Sequence, residues 1–233
     1  MENTISTNYV NVAVLVNGQR QPVYRRPHDR QPFVAGVWGA LFVLEVRNCT
    51  GGRIEVLSSV DGRNTLHDEP ADMVQNRGMI IPAYGSYQFA GWRIDDNNSA
   101  AFVFTDPTES VAQMATGQAS NAGVFGFAVY TERRIEQPVY RTHVQNTGYE
   151  PLTRSGPQSK GLEGLGDMGT GIGDVRADHV ERTSFIRAQS RPAEIVTIQY
   201  RSHEWLERNG IIAPDEPNAF PGAQTGYAQY LAK

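Results

Sequence analysis

Short runs of alternating apolar and polar residues, each closed by turn residues, follow one another from Val10 to Arg133. A period of two sends successive side chains to opposite faces of a strand, so a chain of this kind must bury one face of each sheet against another layer. The pattern predicts an all-β fold, an antiparallel β-sandwich of jelly-roll-like form. Val10, Val12, Val14 and Val16 share one face, and Asn17-Gly18 is the pair that a type I′ hairpin turn favours. Ala40, Phe42, Leu44 and Val46 repeat the alternation. Gly51-Gly52 then leads into Ile54, Val56 and Val60, interleaved with Arg53, Glu55 and Ser59, and Asp61-Gly62 closes the run. We read these two strands as a hairpin, and Tyr84 to Ile94 with Ala100 to Thr105 as a second one. Val124 to Tyr130 is apolar on both faces, which marks a central strand.

The spacing also predicts a helical turn near Ala71 to Val74, a short helix over Glu109 to Ala115, and strands over Val180 to Ala188 and Glu194 to Tyr200. Ser202 offers an N-cap for one short C-terminal helix, and Gly210 its C′ residue. Residues 1–134 therefore form the sandwich core. Residues 135–179, rich in Gly and polar side chains, form a long irregular insertion. Residues 180–210 complete the domain, and 211–233 make an extended C-terminal arm with Phe220, Tyr227 and Tyr230 as aromatic anchors.

A formal charge of −4 opposes a general nucleic-acid role, since duplex binding draws on many cationic contacts with phosphate. The compact basic stretch holds Arg20, Arg25, Arg26 and Arg30 with His28, and Asp29 is its single acid. The positive charge is almost all arginine, because Lys160 and Lys233 are the only lysines. Arginine suits protein contacts, where its planar fork pairs with carboxylates and stacks on rings. Gln21-Pro22-Val23-Tyr24-Arg25 recurs as Gln137-Pro138-Val139-Tyr140-Arg141, two Pro-stiffened extended segments. Cys49 stands alone, so neither an intrachain disulfide nor a cysteine zinc cluster is expected. The polar start, Met1 to Tyr9, is unlike a secretory signal, and no segment approaches the ~20 apolar residues that span a bilayer. The expected origin is the cytoplasm without a signal peptide, followed by incorporation into a virion or other particle.

Chemical motifs are weak. Gly169-Thr170-Gly171-Ile172-Gly173-Asp174 lacks the preceding buried strand and following helix that would bring backbone N–H groups to a phosphate, and its spacing departs from the dinucleotide fingerprint. Asp174, Asp178 and His179, or His67, Asp68 and Glu69, are oxygen and nitrogen donors, but neighbours in a strand point apart. There is no Gly-x-Ser-x-Gly elbow, and Cys49 after a strand reads as a small packed residue. Trp38 and Trp92 fall in strand patterns that read as core. No catalytic residue, cofactor or metal follows, and the chain is not expected to be an enzyme.

The runs Val14-Leu15-Val16-Asn17-Gly18, Glu55-Val56-Leu57-Ser58-Ser59-Val60-Asp61-Gly62, Phe89-Ala90-Gly91-Trp92-Arg93 and Ala101-Phe102-Val103-Phe104 resemble those of uncharacterised bacterial and phage-associated β-rich proteins. Gly169-Thr170-Gly171, Ile195 to Tyr200 and Leu206 to Ile211 extend the resemblance over most of the chain. It implies no activity and carries over no catalytic residue; what it implies is a virion or particle component. The expected function is structural assembly, as a minor capsid, vertex, decoration or collar-type protein contacting itself or other particle proteins. Arg25, Arg26, Tyr140, Arg141, Phe220, Tyr227 and Tyr230 are the expected partner-binding residues. The alternative is a carbohydrate- or surface-binding module using exposed aromatics.

Overall fold

A computed structural model describes residues 2–26, 30–67, 69–133 and 166–213. The strands in chain order are β1 (Ile5–Ser6), β2 (Val10–Val16), β3 (Gln19–Arg20), β4 (Val23–Tyr24), β5 (Phe33–Gly36), β6 (Leu41–Asn48), β7 (Ile54–Val60) and β8 (Arg63–Asn64). They continue with β9 (Met79–Ile81), β10 (Ser86–Phe89), β11 (Gly91–Arg93), β12 (Asn98–Thr105), β13 (Val124–Thr131), β14 (Gly169–Ala177) and β15 (Glu194–Ser202). Two six-residue helices, α1 (Val111–Thr116) and α2 (His203–Arg208), accompany them.

The strands form two sheets. In the first, β2 pairs with β1, β3 and β6; β10 pairs with β6, β11 and β14 pair with β12, and β12 meets β6 at Phe102 and Val103. In the second the order is β4-β5-β15-β13-β7-β8, with β9 also on β7. The inner faces share one core: Val12, Leu44 and Phe102 from the first sheet pack with Val56, Phe127 and Ile198 from the second. Phe42 sits at its centre, 4.3 Å from the ring of Phe104 within its own sheet and 5.2 Å from that of Phe125 across the interface. The reading of two packed β layers therefore holds, with one amendment: β15 runs parallel to β5, so the second sheet is mixed.

Local chemistry explains the elements. Asn17 (φ 51°) and Gly18 (φ 78°) both occupy the left-handed region, as a type I′ turn requires. β13 lies between β7 and β15, and both of its faces are apolar because Phe125, Phe127 and Val129 enter the main core while Ala128 and Tyr130 pack with Leu57 and Phe185 on the other side. Ser110 and Ser202 cap α1 and α2, each accepting from the backbone N–H three residues on, at 3.2 Å.

Three local expectations are corrected. β6 and β7 are not a hairpin: Gly51-Gly52 carries the chain from one sheet to the other. The strand from Tyr84 to Ile94 breaks at Ala90, so that β10 pairs with β6 and only β11 pairs with β12. Val180 to Ala188 is not a strand; Arg187 makes a single bridge to Glu132. Near Ala71 to Val74 the expected helical turn is present at Asp72, whose carbonyl accepts from Asn76 N at 3.0 Å and whose Oδ1 accepts from Val74 N at 2.7 Å and Gln75 N at 3.1 Å. Of the expected irregular insertion, residues 135–165 fall outside the described residues, and in its later part Gly169–Ala177 is strand β14, a correction to the irregular reading. Ile211, expected to begin the arm, is buried against Leu206 in a small cluster with Phe33.

Candidate functional site

One of the buried ionisable groups is Asp61. It lies in the turn after β7 with φ 52°, 2 % exposed, and its side chain turns inward. Oδ1 accepts from Gly123 N (2.9 Å), Val124 N (3.4 Å) and the Tyr200 hydroxyl (2.7 Å), while Oδ2 accepts from Thr170 N (2.7 Å). The Thr170 hydroxyl lies 2.7 Å from the same tyrosine oxygen. Burial pushes the Asp61 carboxyl up to about 6, against the pull of these donors. Burial, with the Asp61 charge beside it, also holds the Tyr200 phenol well above the ordinary tyrosine range. Gly123 must be glycine: its φ is +84°, and a β-carbon would stand 2.1 Å from the Arg201 guanidinium, which donates to the Gly123 carbonyl at 2.7 Å. A carboxylate closed in this way is an acceptor for three segments, the starts of β13 and β14 and the middle of β15.

The outer face of β7 and β13 carries a second cluster beside an open groove. Glu55 is 1 % exposed, and Arg187 pairs with it bidentately, Nε to Oε2 at 2.7 Å and Nη2 to Oε1 at 3.1 Å. Arg187 also donates to the carbonyls of Met73 (2.9 Å) and Asn76 (2.7 Å), and its guanidinium lies 3.6 Å from the Tyr130 ring centre. Gly78 N adds a third bond to Glu55 at 2.8 Å. The groove next to it, about 700 Å³, runs between β9, the β11–β12 turn and residues 180–185, with Arg77, Arg93, Ile94 and Phe185 in its wall. Arg93 is engaged by Asp178 at 2.5 Å and the Tyr87 hydroxyl at 3.1 Å, and Asp95 accepts from Asn97 N and Asn98 Nδ2. Glu55, Asp95 and Asp96 along this groove serve as acceptors within the fold. A second depression of about 660 Å³ lies at Tyr9, Gly51, Gly52 and Arg133, where Arg53 and Glu132 form a two-pronged ion pair.

Of the expected partner-binding residues, Arg25 and Arg26 are exposed beside β4. Arg25 pairs with Glu2, and Arg26 lies over the Phe33 ring at 5.6 Å. Phe33 stacks on Trp205 at 6.3 Å, so the structure places Arg26 beside an aromatic cluster that the sequence did not connect to it. Tyr140, Arg141, Phe220, Tyr227 and Tyr230 lie outside the described residues. Trp92 is core, 5 % exposed, with its indole N–H on the Gly171 carbonyl at 3.2 Å. Trp38, expected in the core, is instead 53 % exposed in the turn between β5 and β6, next to Val37 at 50 %. Gly169 to Asp174 belongs to β14, a strand and not a phosphate-binding turn. His179 bonds Asn97 at 2.8 Å, and among the described residues no three His, Cys, Asp or Glu side chains converge as a metal site.

Sequence reasoning missed Asp61 and Glu55. Asp61 sits in a turn dipeptide, where an aspartate is unremarkable, and Glu55 occupies a position of β7 that alternation assigns to water. The signal that could have flagged Glu55 is β13, whose two apolar faces imply a covered outer layer over its neighbour β7 as well. Among the described residues no helix is long and apolar enough to cross a membrane. Comparison of the chain with protein-family models, with curated proteins and with solved structures finds no match, so the functional reading rests on this geometry.

Proposed function

We propose that the chain is a structural assembly protein, a jelly-roll-like sandwich that builds contacts with further copies of itself or with other proteins of a particle, as a minor capsid, vertex, decoration or collar-type component. The observation that carries this reading is the pair Val37 and Trp38, half exposed at a turn of a body whose other large aromatics are mostly interior. A rigid tryptophan with an apolar neighbour is the kind of anchor that dominates contact energy, because it buries a large area with few rotors to immobilise. The hubs at Asp61 and Glu55 support it by fixing the turns and the outer layer, so that a contact surface loses little freedom on docking. Arg26 and the Phe33–Trp205 cluster supply a second surface of the same character.

Light scattering on the full chain, alone and in any particle from which it is recovered, tests the reading. Masses above that of a single chain in either setting, reduced by Trp38→Ala, are expected. A chain that is monomeric alone and absent from any particle overturns it. The exposed Trp38 is also what a carbohydrate-binding module would use. Glycan-array binding by the monomer, lost in Trp38→Ala, would favour that second reading.

A further inference from the structure

The two sheets end in several free edges, and β14 differs from the rest. Among the described residues the other strands with a single partner, β1, β3, β4, β8, β9, β10 and β11, are two to four residues long, whereas β14 has nine. Gly169 to Gly171 are buried, but Ile172 is 57 % and Val175 64 % exposed, and Asp174, Arg176 and Ala177 are exposed with them. Among the described residues β14 pairs only with β12, so its outer side has no strand partner there and its backbone N–H and C=O groups can take another strand. Short edge strands resist such pairing by their length; β14 does not.

The charges along the edge select the occupant. Asp174 and Arg176 flank Val175 and share a sheet face, and neither makes an ion pair within the described residues. An antiparallel pairing about a two-fold axis through Val175 sets Val175 against its own copy. It sets Asp174 of each chain against Arg176 of the other, twice. Moving the axis one residue either way opposes Asp174 to Asp174 or Arg176 to Arg176, so charge alone fixes the register. Gly173 then faces Ala177, two small residues that allow close approach, and Ile172 and Val175 add apolar contact. We infer that β14 pairs with β14 of a second copy in this register, forming an isologous dimer with a continuous sheet across the axis. The inference rests on the assembly reading and names one of its surfaces. The ladder to β12 is irregular between Ile172 and Val175, so the regular edge is short and the dimer is weak and concentration-dependent.

Sedimentation of the full chain over a range of concentrations tests it with Asp174→Arg, Arg176→Asp, the double variant carrying both, and an equimolar mixture of the two single variants. Each single variant opposes like charges twice and is expected to weaken the dimer about tenfold. The double variant and the mixture restore opposite charges and are expected to recover wild-type association, which also shows that the singles are folded. Single variants that associate like the wild type, or a double variant that does not recover, would overturn this interface while leaving an oligomeric wild type and the assembly reading intact. A wild-type chain that is monomeric alone, its β14 edge covered by another part of the chain or bare, overturns the dimer. If that monomer still enters particles, the assembly reading survives.

Discussion

Tyr200 donates its phenolic hydrogen to Asp61 Oδ1 over 2.7 Å, joining two residues 139 positions apart in the chain. The tyrosine ring lies in the main core, stacked on Phe125 at 4.3 Å, so one side chain connects the apolar interior to a buried carboxylate. Asp61 in turn holds the backbone at Gly123, Val124 and Thr170. The start of β13, the start of β14 and the middle of β15 are thus located by a single acceptor.

Stability should fall with pH through the Asp61 titration. The folded-state value, about 6, lies above the ordinary 3.8, so the native chain holds a proton that the unfolded chain has released between those values. Stability contributed by this group is therefore greatest below about pH 4 and declines to a plateau above about pH 6, by roughly 3 kcal/mol in all. Asp61→Asn keeps the left-handed turn accessible and removes the titration. Urea unfolding of wild type and variant should show the stability difference between them shifting against the wild type by about that amount from pH 4 to pH 7. A difference that stays constant with pH would contradict the assignment.

Tyr200→Phe keeps the ring and deletes the donor. The expected cost is about 1–2 kcal/mol at neutral pH, with the stacking on Phe125 retained. Because the lost bond lowers the Asp61 pKa, the carboxyl should titrate at a higher pH in this variant. Carbon NMR of the Asp61 carboxyl reads the shift directly; an unchanged titration would mean that the hydroxyl is not its partner.

Glu55 and Arg187 should behave as one unit. Arg187→Met leaves buried Glu55 with only Gly78 N and the more distant Arg77 at 3.9 Å, and Glu55→Gln leaves Arg187 without a carboxylate, so each is expected to cost about 3 kcal/mol. The double variant, lacking both charges, is expected to cost clearly less than the sum, with a coupling of about 1–3 kcal/mol in a thermodynamic cycle. Additive losses would show that the pair is solvated.

Steric room should separate glycines that look alike in sequence. A β-carbon at Gly91 would stand 2.1 Å from the Ala100 carbonyl oxygen, at the point where β11 meets β12, while one at Gly52 meets nothing within 4 Å. Gly91→Ala should cost about 2 kcal/mol or more, and Gly52→Ala should stay within about 0.5 kcal/mol of wild type. Thermal melts of the two variants side by side check the contrast.

Much of the first layer of organisation was legible in the residues. Alternation located β2, β6, β7, β12 and β13, and the caps at Ser202 and Gly210 bracketed α2, because these depend on neighbours in sequence. Pairing partners were less legible. Gly51-Gly52 can close a hairpin or change sheets with the same local chemistry, and the choice is made by where Ile54 finds core. β14 was hidden because three of its nine residues are glycine, which strands usually avoid. Here Gly171 and Gly173 lie under Val103, Thr105 and Leu41, close enough that a β-carbon would meet those side chains at 3.0–3.1 Å. The two buried carboxylates were invisible for a related reason: what encloses Asp61 and Glu55 comes from Tyr200 and Arg187, far along the chain.

The parallel pairing of β5 with β15 also sets a timetable. Phe33 lies opposite Gln199 and Gly36 opposite Ser202, so an early strand finds its main neighbour only when almost the whole described chain has been synthesised. Until then β5 has beside it only two-residue β4, and Phe33 and Val34 have no lasting shelter. Closure of the second sheet thus waits for residues 194–202, and a nascent chain halted before residue 194 would carry an unsealed seam.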